Sequence, residues 1–237
     1  MSSKKKQAEL REEKEWEKID EAVHTSENFL VKYQNQLLIG IGVVVLIVSG
    51  YLALQHFYFG PKNEEAQVAM YKGEEYFRLG QDSVAIHGDG KGYNGFEYVI
   101  NEYGSTKAGN LAKIYAGVSY ANLGQYDKAL SYLKDFSGKD AMLSQLVNGA
   151  IGDCLDNTGK SEDAISYYIK AAKGVDNYIQ SPSLYKKAAL IYRVQGNHDK
   201  VIELFTLIKN DYARSPIAAT EADKYIEEAK MLKAGAN

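Results

Sequence analysis

"GVSYANLGQYDKALSYL", residues 117–133, recurs twice further along the chain in altered form. In this stretch Gly117 is followed by Tyr120, Gly124, Tyr126, Ala129 and Leu133. "GDCLDNTGKSEDAISYY", residues 152–168, carries Gly152, Leu155, Gly159, Ser161, Ala164 and Tyr168 at the same offsets, shifted by 35 residues. "ALIYRVQGNHDKVIELF", residues 189–205, carries Ala189, Tyr192, Gly196, His198, Val201 and Phe205, shifted by a further 37. Each unit predicts a helix, a tight turn at the glycine, and a second helix. The small residue at 117, 152 or 189 lets the paired helix come close, as do Ala129, Ala164 and Val201. The larger residue at 120, 155 or 192 fills the space beside that contact. Gly124, Gly159 and Gly196 can take the left-handed conformation that stops a first helix. One such hairpin cannot bury its apolar face, so the units are expected to stack.

Working backward, "AMYKGEEYFRLGQD" puts Gly73, Tyr76 and Gly80 in the same slots. This predicts the first helix of a fourth unit whose turn is swollen by "DSVAIHGDGKG". Its second helix is expected at "YNGFEYVINEYG", with Gly95 near the slot of Ala129. The units fall near residues 66–104, 110–143, 145–178 and 182–214. At the far end Ser215–Pro216 reads as an N-cap with proline at N1, opening a capping helix over 216–234.

These residues resemble the tetratricopeptide repeat, although the shifts slightly exceed that family's period of about 34. The resemblance implies a groove lined by the first helix of each unit. Glu74 and Arg78 would face it from the first unit, and Ile114, Val118 and Asn122 from the second. Asp153, Asp156 and Asn157 would follow from the third, then Lys186 and Arg193 from the fourth. Such a mixed surface suits an extended peptide or a partner helix. The Lys/Asn/Arg clamp with which some relatives grip carboxylates is not matched slot by slot.

Upstream, residues 33–55 hold no charged side chain, and their centre reads "LLIGIGVVVLIVSGYLAL". At a rise of about 1.5 Å per residue this stretch reaches about 35 Å, enough for a hydrocarbon core of about 30 Å. Tyr33 at one end and Tyr51, Phe57, Tyr58 and Phe59 at the other suit the headgroup layers. The apolar run is too long for a usual signal-peptide core and a charged tail precedes it, so an uncleaved anchor over 33–59 is expected. "YFGPKN", residues 58–63, is expected to break the helix and leave a linker over 60–65. Residues 1–32 are densely charged, with Trp16, Ile19 and Val23 on one stripe of an expected helix. That helix reads as a solvated segment or a docking element. Lysines and arginines near the span are almost even on its two sides, but "KKK" at 4–6 favours a cytoplasmic N-terminus, with the rest of the chain beyond the membrane.

Little points to chemistry. The net charge of −3 gives no footprint for nucleic acid. The single cysteine, Cys154, cannot form an internal disulfide or a cysteine-rich zinc site. Gly90-x-Gly92-x-x-Gly95 has the spacing of a dinucleotide fingerprint, but that motif needs a preceding strand and a βαβ unit. The chain predicts helices on both sides, so neither nucleotide nor other cofactor is expected. Of the histidines, only His87 beside Asp89 is suggestive, and two residues in a glycine loop make a poor metal site. No nucleophile elbow, zinc helix or phosphate loop is present, and no enzyme is expected.

The expected fold is all-α: a transmembrane helix, then a solenoid of about four helix pairs with a C-terminal cap. The order of these features and the stretch "GDGKGYNGFEYVINEYGSTKAGNLAKIYAGVSYANLGQYDKAL", residues 88–130, resemble the bacterial ancillary Sec-translocon subunit family. The resemblance implies a single-pass inner-membrane protein with a periplasmic repeat domain. It implies protein partners: translocon subunits, a membrane-anchored periplasmic chaperone and exported clients. A scaffold in another envelope machine, for cell division or outer-membrane assembly, stands as the alternative.

Overall fold

The computed structural model describes residues 32–235 and is all-α; no strand occurs among the described residues. The expected tail helix, with Trp16, Ile19 and Val23, lies outside the described residues. The chain divides after Gly60 into two compact units.

In the first unit, α1 covers residues 32–54 and a wider π turn follows at Gln55–Phe59. Its most apolar 18-residue window has a mean hydropathy of 2.7, and none of that window is buried. Among the described residues nothing packs on that window, and the helix is long and apolar enough to cross a membrane. The linker expected at 60–65 is instead helical, because α2 already begins there, at Gly60–Arg78. The physical reason lies in the π turn. The Gly60 N–H reaches back five residues to the Gln55 carbonyl. Such a wide turn is where a helix absorbs the missing N–H and crowded ring of a proline, here Pro61.

The second unit continues with α3 (Asp82–His87) and α4 (Phe96–Tyr103), followed by three helix pairs. These are α5 (Lys107–Asn122) with α6 (Tyr126–Asp135), α7 (Ala141–Asn157) with α8 (Ser161–Gly174), and α9 (Gln180–Val194) with α10 (His198–Asp211). The array ends in α11 (Pro216–Thr220) and α12 (Ala222–Gly235). Helix α9 begins two residues before the expected 182, taking Pro182 into its first turn, where a missing N–H goes unnoticed. The expected capping helix is broken at Glu221. Its start matches the expectation: the Ser215 side chain accepts from the Ala218 N–H, with Pro216 next.

Gly80, Gly124, Gly159 and Gly196 all have φ between 69° and 76°. At each, the following residue donates its N–H to a carbonyl five back, at 2.9 Å: Gln81 to Tyr76, Gln125 to Tyr120, Lys160 to Leu155, Asn197 to Tyr192. Four first helices therefore end in one and the same Schellman turn, and that shared stop sets a common register. Against Gly117 lies Leu133, whose Cγ would stand 2.6 Å from an added Cβ. Against Gly152 lies the Tyr168 ring, also at 2.6 Å. So the glycine slot receives a large side chain from one turn beyond Ala129 or Ala164, and those alanines, both fully buried, let the second helix close in.

The first pair departs from expectation. Its second helix starts at Asp82, and Ala85, fully buried, fills the slot assigned to Gly95. The helix stops after six residues, the chain loops out over 88–95, and α4 resumes. Gly95 sits at the N-cap of α4 with φ 93°, packed on the backbone carbonyl of Ile86. The loop is tied by one carboxylate. Asp89 accepts from the Lys91 N–H at 2.7 Å, the Tyr93 N–H at 3.0 Å and the Tyr76 hydroxyl at 2.9 Å. The Tyr93 hydroxyl in turn donates to the Ala85 carbonyl at 2.6 Å. The two backbone N–H groups, with Tyr76, hold the Asp89 carboxyl down to about 2. A carboxylate lowered on folding contributes stability above its unfolded value of about 3.9 and loses it as pH falls through the folded value. The loop is therefore expected to hold from neutral pH to about 4 and to open between about 4 and 2. Amide exchange at Lys91 and Tyr93, followed across that window, checks this.

Candidate partner-binding face

Each first helix presents a stripe spaced i, i+4, i+7, i+11, which falls on one helical face. In α5 the stripe is Leu111, Tyr115, Val118 and Asn122. Shifted to α7 it becomes Leu146, Ala150, Asp153 and Asn157; in α9 it becomes Ser183, Lys187, Leu190 and Val194. In α2 it includes Tyr71, Glu74 and Arg78. Contacts between neighbours place these stripes side by side. A cavity of about 400 Å³ lies between α2 and α5, walled by Met70, Tyr71, Glu74, Lys107 and Leu111. Phe77 meets the Tyr115 ring edge-on at 5.2 Å. Lys187 of α9 reaches Asp153 of α7 at 2.5 Å.

Of the residues expected to face a groove, Glu74, Val118, Asp153 and Asn157 lie on this face, with Arg78 and Asn122 at its glycine-turn end. Asp156 is exposed beside it. Ile114 is a correction: it is 5% exposed and belongs to the core. It stands one residue before Tyr115, and one residue turns a helix by about 100°, enough to carry a side chain from face to interior. Lys186, which stands in the slot of Ile114 two pairs on, is also corrected; it pairs with Glu221 at 2.5 Å. Arg193 stands exposed beside the face in the slot of Asp156, pairs with Glu228 at 2.5 Å and lies over the Tyr225 ring.

The face also includes Tyr71, Leu111, Tyr115, Leu146, Lys187 and Val194, none of them expected from the sequence. The signal for one of them is present in the repeat itself: shifting Asn122 by the repeat intervals gives Asn157 and then Val194. Leu146 and Val194 stand exposed on the face. It is thus apolar at several points with a charged centre at Asp153 and Lys187. That ion pair is solvent-exposed, and such pairs are worth about 0–1 kcal/mol, so a ligand could displace it at little cost. Asp153 also accepts from the Tyr168 hydroxyl at 2.7 Å. Asn157 accepts from Tyr126 at 3.2 Å, and Asn122 donates to Asp82.

A second polar centre has no counterpart in the sequence patterns. Glu97 accepts from the Tyr120 hydroxyl at 2.7 Å and the Tyr132 hydroxyl at 2.9 Å, and His87 Nδ1 lies 3.3 Å away. The two tyrosine rings stack at 5.6 Å. Burial alone would raise the Glu97 carboxyl, but the two hydroxyls and His87 outweigh it and hold it low. Tyr132 is pushed up to about 12, by burial first and then by Glu97. These residues come from α3, α4, α5 and α6, so one carboxylate links the first pair to the second.

Cys154 is fully buried, and burial, then the Asp153 charge, pushes its thiol up to about 11. The thiolate is the nucleophilic form, so this is an inert packing residue. The glycines at 88–95 follow α3, a helix, so the strand that a dinucleotide fingerprint requires is not there. Among the described residues no three His, Cys, Asp or Glu side chains converge to hold a metal ion. No protein-family model matches the chain, and no curated protein matches it.

Proposed function

We propose that the chain is a membrane-anchored tetratricopeptide-repeat scaffold that holds other polypeptides against its first-helix face. The observation that carries this reading is the face itself: aligned stripes with exposed Leu146 and Val194, a cavity at Tyr71 and Leu111, and a weakly held charge pair at the centre. An extended chain laid across the stripes can bury apolar side chains at several points and exchange its charges with Asp153 and Lys187. The apolar helix α1 supplies the tether. On the resemblance of residues 88–130, the partners are the Sec translocon, a membrane-anchored periplasmic chaperone and newly exported clients. The N-terminus then lies in the bacterial cytoplasm and the second unit in the periplasm.

The test is site-specific photocrosslinking in intact membranes, with the photoreactive residue at Leu146 of the full chain. Translocon subunits and the chaperone are the expected adducts. Their consistent absence ends the translocon assignment, and adducts with division or outer-membrane assembly proteins transfer the scaffold to that machine. Leu146→Asp is expected to reduce the adducts formed from a photoreactive residue at Val194 by about tenfold, since burying a leucine is worth about 1.5–3 kcal/mol.

A further inference from the structure

In the three later pairs, one side of the first helix is covered by the pair before it. A single slot makes the comparison. Ala112 in α5, Val147 in α7 and Leu184 in α9 stand at one offset from their turn glycines and are 0%, 6% and 8% exposed. Ala112, for example, shares a cluster with Met70 of α2, Ala85 of α3 and Phe96 of α4. The same slot in α2 is Val68, and it is 77% exposed. At the other end of the array α12 packs over α10, so that end is closed. Among the described residues nothing covers the α2 end, and an array of stacked pairs needs its terminal apolar surface covered.

A shallow trough runs past Val68. One part, of about 320 Å³, lies between α2 at Lys72 and the opposite wall at Gly92 and Tyr98, and the other, an open hollow of about 450 Å³, has α2 alone for a wall, at Pro61, Glu64 and Glu65. Both include Val68 and Ala69, so they adjoin. From Pro61 to Lys72 the trough follows α2 for about three turns, or about 17 Å, a length that suits a short helix.

We propose that an amphipathic helix of a partner protein lies in this trough, antiparallel to α2, where the second helix of a preceding pair would lie. The charges define its chemistry. Glu64 and Glu65 line one end of the trough, in the second turn of α2; Lys72 lines the other, where Lys91 stands exposed next in sequence to Gly92 of the lining. An antiparallel helix brings its C-terminal end to the two glutamates and its N-terminal end to the two lysines. It therefore carries acidic residues in its first turn and basic residues in its last, the arrangement that the helix dipole also favours. Its apolar stripe falls on Val68 and Tyr98. This chain contains a helix of that kind. Helix α8 opens with Glu162 and Asp163, closes with Lys173, and packs on α9, where Leu184 fills the equivalent slot. This surface meets the first-helix face at Tyr71, which lines a cavity of each; Val68 and Leu146 each line only one of the two, so failure of one reading leaves the other standing.

The probe is a synthetic peptide with the α8 sequence, residues 161–174, acetylated, amidated and labelled with a fluorophore. It is titrated with the full chain in detergent micelles and followed by anisotropy. Saturable binding is expected. Val68→Glu should weaken it by about tenfold or more, since one buried valine is worth about that much. A peptide carrying Glu162→Lys, Asp163→Lys, Lys170→Glu and Lys173→Glu should bind about tenfold more weakly as well. Val68 is exposed, so the circular dichroism and melting of Val68→Glu should match the parent chain. Absence of saturable binding overturns the proposal, and so does equal binding to the Val68→Glu chain. Oxidation of Val68→Cys chains to a covalent dimer that the peptide does not inhibit would give the trough to a second copy and overturn it too.

Discussion

Replacing Tyr120 with alanine is expected to lower the stability of the second unit by about 3–5 kcal/mol, the range for removing a buried aromatic side chain. Tyr120 is fully buried in α5. Its ring stacks on Tyr132, and the Lys128 ammonium lies 4.9 Å from the ring centre. Its hydroxyl is one of the two that Glu97 accepts. The alanine variant therefore opens a cavity and strips a half-buried carboxylate of its shortest hydrogen bond. Tyr120→Phe separates the two effects. It keeps the ring and loses only the bond to Glu97, so a loss of about 1.5–3 kcal/mol is expected. Chemical denaturation of the full chain in detergent, followed by circular dichroism, measures both. A cost below about 1 kcal/mol for the alanine variant would show that the first two pairs are not joined through this residue.

The second large effect concerns the glycine loop, where two replacements of the same kind should differ. Gly95 has φ 93°, and a Cβ there would strike the Ile86 carbonyl oxygen, with the His87 carbonyl carbon at 2.7 Å. Those are backbone atoms at the end of α3 and cannot swing aside. Gly95→Ala is thus expected to cost about 3 kcal/mol or more, combining left-handed strain of about 1–2 kcal/mol with a forced backbone shift. Gly90 has φ 64° and nothing within 4 Å of an added Cβ. Gly90→Ala should cost only the strain, about 1–2 kcal/mol. Melting curves of the two variants give the comparison, and equal losses would mean that the loop is not packed on α3. The same pair tests the spacing that invites a nucleotide. A fingerprint would need both glycines for phosphate approach, whereas a packed loop needs Gly95 far more than Gly90.

The proposed partner face is partly legible in the sequence. Counting from the turn glycines gives Val118, Asp153 and Asn157, because a helix repeats its faces at fixed intervals. The same count misplaces Ile114, since an error of one residue turns the side chain by about 100°. Lys186 is misplaced by the same error, since it stands in the slot of Ile114. The count also gives no sign that Glu221 and Glu228, 35 residues away, pair with Lys186 and Arg193, because no local rule says which cation a distant carboxylate will claim.

From the residues alone come the helix pairs, their stops and the apolar helix. These are local matters: a glycine free to take positive φ, a small residue opposite a large one, an uninterrupted run without charge. Each depends on neighbours within about one or two turns, so short spacing patterns carry it. Packing between elements decides the rest. Asp89 becomes the tie of the 88–95 loop, Ala85 displaces Gly95 from the alanine slot, and Glu97 gathers two tyrosines from other helices. Val68 stays bare while its counterparts are covered. Each of those outcomes depends on which surfaces meet after the chain has folded back, and a linear pattern does not contain that information.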